Sequence, residues 1–322
     1  MTILLVIFLI SFVVSFGIFP VMIPALKRAG ITGRDMHKPD QPEIAEMGGL
    51  AIVVGFCAGI VVAIALNNFT NLFYSINLQP VLAVLSTVLI TVLIGILDDL
   101  ISVRQWLKAI APLFSALPLM AVRVGYSTIF IPFVGQVDLG ILYSLILVPI
   151  GITVAANGVN MLAGFNGLEV GMGMVSMAAL AIIAFRLGET TALTILLAAL
   201  GALIATFRYN WYPAKIFIGD VGTLSMGAIM ASAVIIGNFE AAGVIVMIPY
   251  AIDFFIKARN RFPSQDWWGI HREGKLYCPE QGVMGLGQLI MKLAGGIRER
   301  NLTLILVGVE AACGVAAVLM FW

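Results

Sequence analysis

Five polar segments interrupt long apolar runs in this sequence, and their side chains are of the kinds that handle phosphate and a divalent cation. Leu97-Asp98-Asp99-Leu100 sets two carboxylates side by side at the end of an apolar run, where the negative end of a helix disfavours acids. Such a pair suits a cation or a proton; a solvated pair, or caps for the next helix, is the plain alternative. Lys108 follows Asp99 by nine residues with Arg104 between them, and either cation can meet a phosphate.

The segment from Asn157 to Glu169, NGVNMLAGFNGLE, holds three asparagines and three glycines and no basic residue. Asn157 and Asn160 share a helix face through their i, i+3 spacing. Asn166-Gly167 is a turn signal, and glycines such as Gly164 admit a ligand close to the backbone. So many amides exceed what interhelical hydrogen bonding alone would need. They suit a site that reads a base or a sugar and supplies a neutral metal ligand.

Asp220, in FIGDVGT from Phe217 to Thr223, opens an apolar run. It either caps a helix or presents a carboxylate to a Mg²⁺–diphosphate. Magnesium takes oxygen ligands, typically one or two from protein with substrate phosphates completing the shell, so Asp220 with an asparagine carbonyl would be enough. In GRDMHKPDQPEIAEMGG, residues 33–49, proline and glycine forbid a continuous helix; Lys38 and Glu46 are its candidates. Arg259 and Arg261, in RNRFP, suit bidentate contacts to phosphate or sugar, unless they only mark the cytoplasmic side. Trp267 and Trp268 are expected at the membrane interface, and 283–294 is expected to form a helix lying on the membrane surface.

The elements that must position these groups are membrane helices. Of the 322 residues 61% are hydrophobic and 11% charged, against about 25% charged in an ordinary soluble domain. Crossing roughly 30 Å of hydrocarbon takes about 20 apolar residues. Ten runs qualify: 3–26, 48–66, 78–97, 107–122, 139–156, 167–185, 190–207, 217–236, 241–256 and 302–322, the fourth and ninth being the shortest. They are read as helices because backbone groups in lipid must be satisfied within the segment. The first run lacks a basic n-region, so it is not read as a cleavable signal peptide.

Alternating sides through ten runs, with Lys27 in the cytoplasm, puts sixteen of the eighteen basic residues inside and leaves Arg123 and Arg186 outside. That asymmetry satisfies the positive-inside rule. The expected fold is an all-α integral membrane protein of about ten transmembrane helices. It forms a single domain over 1–322, with both termini outside, catalytic loops on the cytoplasmic face and one long inner loop at 257–301. A net charge of +1 gives no reason to expect nucleic acid. The three cysteines show no zinc or redox spacing, and neither GxxxxGK[ST] nor GxGxxG occurs. A transporter would carry ionisable groups near mid-span; here Asp253 and Glu310 are the only acids well inside the runs.

Asp98-Asp99, NGVNMLAGFNGLEVG and FIGDVGTLSMG, in this order, resemble the polyprenyl-phosphate N-acetylhexosamine-1-phosphate transferase superfamily (glycosyltransferase family 4). The LAGFNGLE core looks like that of the eukaryotic and archaeal GlcNAc-1-phosphate transferases, whereas bacterial relatives carry a DGLDGL-like core. RNRFP stands where the eukaryotic enzymes have RHR, with Asn260 in place of the histidine. The resemblance implies transfer of GlcNAc-1-phosphate from UDP-GlcNAc to a polyprenyl (dolichyl) phosphate in a cell or endoplasmic-reticulum-type membrane, as the first step of N-glycan assembly. Another UDP-N-acetylhexosamine, or undecaprenyl phosphate, is the alternative.

It further implies Mg²⁺, with Mn²⁺ as the substitute ion, held by Asp220 and Asn160. Asp98 and Asp99 would be the essential acids, as base or as orienters of a metal-bound water, and Lys108 a diphosphate contact. Asn166 and nearby backbone such as Gly164 would bind the uridine with Phe217 packing close by, Asn157 would be a further substrate contact, and Arg259 and Arg261 would meet phosphate and sugar. Direct attack by the lipid phosphate is favoured over an aspartyl intermediate. Oligomeric state is open, a homodimer being the assembly to look for.

Overall fold

The computed structural model describes residues 2–70, 75–101, 103–131, 135–262 and 268–322, so Pro263 and Trp267 lie outside the described residues. The chain opens with α1 (Thr2–Arg28), a ribbon of β1 (Thr32–Arg34) and β2 (Glu43–Ala45), α2 (Gly49–Phe69) and α3 (Leu78–Ile101). Three short helices follow, α4 (Gln105–Ile110), α5 (Pro112–Ser115) and α6 (Leu117–Ala121), and then a ribbon of β3 (Thr128–Ile131) and β4 (Gly135–Asp138). A π-turn at Tyr143–Leu147 leads into α7 (Val148–Met161), followed by α8 (Leu168–Leu187), α9 (Thr190–Asn210) and α10 (Gly219–Gly237). α11 (Glu240–Val246) and α12 (Ile248–Arg259) form one pair bent by 57°. A third ribbon, β5 (Ile270–Arg272) with β6 (Lys275–Tyr277), precedes α13 (Leu286–Leu293) and α14 (Glu299–Met320).

Among the described residues eight helices are long and apolar enough to cross a membrane, or nine if the bent pair counts as one span. The fourth of the ten expected runs is not one continuous helix. Residues 107–122 lie across α4, α5 and α6, with Pro112 and Pro118 in the opening positions of α5 and α6. Proline has no N–H to continue the preceding turn, but is well suited to start the next. The ninth run is broken in the same way by Pro249 near the start of α12.

α10 lies at the centre of the bundle. A Cβ on Gly95 of α3 would stand 2.6 Å from Val221 Cα, and one on Gly227 would stand 2.3 Å from the Ala155 carbonyl oxygen of α7. Two bare glycines thus let α3 and α7 close on α10, which is how helices associate without a hydrophobic drive between them. Side chains such as Leu93 and Ile150 point outward and stay exposed, as a lipid-facing surface allows.

Contacts between connections fall into two sets. Asn77 N–H donates to Thr191, Tyr126 N–H to Asn238, and Tyr143 to Glu240, so the connections expected outside meet one another. Phe217 N–H donates to Ala45, His37 bonds Gly164, and Lys38 bonds Glu299, so the connections expected inside do likewise. Within 283–294 a helix forms as α13 (Leu286–Leu293). It packs on protein, since a Cβ on Gly287 would lie 2.9 Å from Phe165.

Candidate active site

The ends of α3, α7 and α10 meet beside α4. Asn160 sits on the last turn of α7, and its Nδ2 donates to Asp220 Oδ1 at 2.7 Å and to Thr223 Oγ1 at 2.8 Å. Lys108 of α4 forms ion pairs with Asp220 and, at 2.5 Å, with Asp98. Val103 N–H also donates to Asp98 at 2.9 Å, fixing that carboxylate at the end of α3.

Asp99 has a different task. Its two oxygens accept the backbone N–H groups of Asp220 at 2.9 Å and Val221 at 3.3 Å. It therefore caps α10 from a neighbouring helix, meeting donors that have no intrahelical partner. Gly219, at φ +65°, allows the approach, because a Cβ there would lie 2.5 Å from Asp99 Oδ2.

These groups stand beside a cavity of about 1150 Å³ whose wall includes Glu46, Lys108, Asn157, Asn160, Phe217 and Asp220. Gly164 lies on the wall too, and Trp106, Val154, Phe254 and Phe255 make another part of it apolar. Asn157 donates to the carbonyls of Ala109 and Thr153, both at 3.0 Å, which ties α4 to α7. Burial, reinforced by the negative charge of Asp220, holds the Glu46 carboxyl above its usual range.

Other sequence candidates lie elsewhere. Asp98 and Asp99 stand behind the wall rather than on it. Asn166 is 2% exposed, its amide engaged by Glu299, Asp35 and Ala214. Lys38 pairs with Asp35 at 3.1 Å and with Glu299, off the wall. Its ammonium is held above its ordinary pKa: burial opposes the charge, but Glu299 and Asp35 outweigh it. Arg259, the last residue of α12, and Arg261, at a turn of positive φ, are exposed and not on the wall. The cation that this segment brings to the wall is Lys257, paired with Asp253 at 2.8 Å.

Sequence spacing does not single out Lys257, His37 or Glu169, all of which line the cavity. The signal available for Glu169 is its place in the LAGFNGLE core, where it accepts the Gly164 N–H at 2.5 Å. His37 donates to the Gly164 carbonyl at 2.9 Å and stacks on Phe165 at 4.5 Å. Burial pushes its pKa down, against the pull of Glu299, Gly164 and Asp35. The unfolded chain therefore takes up this proton first as pH falls below about 6.5. Stability should drop with acidification below that value. His37→Gln keeps a donor for Gly164 and should flatten the fall in melting temperature below about pH 6.5, as followed by thermal denaturation in detergent.

Known proteins resemble this chain over most of its length. The family model described as glycosyl transferase family 4 matches residues 81–238, which contain Asp98, Lys108, Asn160 and Asp220. A protein of Saccharolobus solfataricus is 38% identical over 315 residues, 97% of this chain and 95% of its own. One of Sulfolobus acidocaldarius is 34% identical over 319 residues, 96% and 94% of the two chains. Both carry the provisional name UDP-N-acetylglucosamine–dolichyl-phosphate N-acetylglucosaminephosphotransferase. A Dictyostelium discoideum protein that bears this name outright is 26% identical over 351 residues, 93% of this chain and 83% of its own. With likeness running nearly end to end, this chain belongs to glycosyl transferase family 4.

Proposed function

We propose that the chain transfers GlcNAc-1-phosphate from UDP-GlcNAc to a dolichyl-type polyprenyl phosphate, opening the assembly of a lipid-linked oligosaccharide for N-glycosylation. The observation that carries this is the meeting of Lys108, Asp220 and Asn160 on the wall of a cavity that Trp106, Phe254 and Phe255 also line. A diphosphate suits the first group and a prenyl chain the second. The names of the archaeal and amoebal relatives supply the sugar and the lipid. The excess of basic residues on the connections that meet at this cavity supports a cytoplasmic site in a multi-pass membrane protein.

In the reaction, an oxygen of the lipid phosphate attacks the β-phosphorus of UDP-GlcNAc. The bond from that phosphorus to the bridging oxygen breaks, and UMP leaves with the electron pair. A phosphate dianion needs little activation, so the main task is to place two anions together and neutralise the charge that develops. Lys108 does part of this, held in place by Asp98 behind it. Asp99 fixes the first turn of α10 and with it Asp220.

Asp220 and Asn160 would hold Mg²⁺, which supplies charge neutralisation on the diphosphate. Their donor set fits in type, a carboxylate and a carboxamide side by side, although it is Asn160 Nδ2 that meets Asp220 here, so the carboxamide would turn over to offer its oxygen. Among the described residues no three acidic, histidine or cysteine side chains form a ready-made metal site. That suits magnesium, which is commonly held by one or two protein carboxylates and by substrate phosphates.

The test is transfer of label from UDP-[¹⁴C]GlcNAc into organic-extractable lipid by purified protein with dolichyl phosphate. Labelled lipid with matching UMP release, lost with EDTA and restored by Mg²⁺, is expected. Product only with another UDP-sugar would correct the donor, and product undiminished by EDTA would remove the metal role.

A further inference from the structure

The last turn of α12 brings a second cation to the cavity. Lys257 lines the wall, and its ammonium donates to the carbonyl of Met161, the last residue of α7. The residue before Met161 is Asn160, which bonds Asp220. Lys108 and Lys257 therefore approach the same end of α7, one from α4 and the other from α12. The Lys257 ammonium also pairs with Asp253 Oδ2 at 2.8 Å. Asp253 is 1% exposed, and its Oδ1 accepts the Leu286 N–H of α13 at 2.7 Å. A carboxylate buried so fully needs a charge beside it, so the pair keeps the ammonium at this point of the wall. An ammonium has three N–H donors. The Met161 carbonyl takes one and Asp253 draws a second, which leaves one for the cavity.

The two lysines differ in their surroundings. Lys108 is held between two carboxylates, Asp98 and Asp220. Lys257 follows Phe254 by three residues and so shares a helix face with it. Phe254 and its neighbour Phe255 are exposed apolar rings on the same cavity wall. An anion that carries a long apolar tail meets the ammonium and the rings together. A nucleotide sugar has no such tail to set against them.

We infer that Lys257 is a further binding residue for the lipid acceptor and meets its phosphate. This rests on the polyprenyl phosphate acceptor proposed above. No bond forms or breaks at Lys257. Its charge offsets the repulsion between the acceptor phosphate and the donor diphosphate, and so lets two anions lie together.

The experiment measures binding of radiolabelled dolichyl phosphate to the purified full chain in detergent, beside separate KM values for dolichyl phosphate and UDP-GlcNAc. Lys257→Met should weaken dolichyl phosphate binding and raise its KM about ten-fold, leaving the KM for UDP-GlcNAc within about two-fold. Dolichol, which lacks the phosphate, should bind wild type and variant alike. Lys257→Arg keeps the charge and should recover most of the loss. Lys257→Met leaves Asp253 without its partner, so a double variant with Asp253→Asn removes both charges of the pair and decides the matter if the single one does not fold. Dolichyl phosphate affinity that stays at the wild-type level in the folded variant would overturn the inference. So would a rise confined to the KM for UDP-GlcNAc, which would give Lys257 to the donor. Both KM values rising together with weaker dolichol binding would overturn it too, as a merely structural role predicts. A wild-type chain that binds no dolichyl phosphate overturns it as well. Binding that depends on Lys257 in a chain that forms no lipid product would support this inference and sink the proposed reaction.

Discussion

Asp220→Ala should abolish transfer, lowering kcat/KM for labelled lipid by about 10³-fold or more, roughly 4 kcal/mol of transition-state stabilisation. Asp220 is the carboxylate on the cavity wall that Lys108 and Asn160 both contact. Its removal takes away the oxygen donor proposed for the cation and frees the two groups aimed at it. Stability should change little, because the Asp220 side chain is 22% exposed and its backbone N–H keeps its bond to Asp99. The check is the radiolabel assay beside a melting curve. Turnover near wild type would remove Asp220 from the chemistry, and a collapsed melting temperature would leave the loss of activity to unfolding.

Asp99→Asn should also cripple the enzyme, but by another route and with a second symptom. The carboxylate accepts two N–H groups at the start of α10, and an asparagine offers one oxygen and one donor in that place. One N–H would be left facing an NH₂ group in a half-buried position, and loss of a cap costs about 0.5–2 kcal/mol. The first turn of α10 carries Asp220, so its displacement should lower kcat/KM by about 10²-fold. A drop in melting temperature should accompany it, which Asp220→Ala is not expected to show. Full activity with a lowered melting temperature would confine Asp99 to stability. Lost activity with an unchanged melting curve would argue for direct contact with substrate.

The two members of one acidic pair thus have different partners, although the sequence presents them as equals. They are adjacent on a helix and so point about 100° apart, and the rotation of α3 decides what each one meets. That rotation is set where Gly95 lies against Val221, a contact between residues far apart in the chain. The same limit applies to Asn166, whose hydrogen-bond partner Glu299 is 133 positions away. Nothing in the spacing of NGVNMLAGFNGLE shows that its last asparagine faces away from the site. For Arg259 and Arg261, residue type suggests phosphate contacts, but both lie off the cavity wall, and Lys257, two residues before Arg259 on α12, is the cation of this segment that lines it.

The apolar runs, the polar segments that end them and the identity of Lys108, Asn160 and Asp220 as the group to watch were determined by sequence alone. A helix in lipid must satisfy its own backbone and keep its charges at its ends, so each of those features is written locally. Where a run fails as one helix, at Pro112, Pro118 and Pro249, the cause is local too. The tertiary structure decided which polar side chains share a cavity and which stand behind it. That depends on how helices rotate and close on α10, which is fixed by contacts between small residues on different helices, and no single run contains that information.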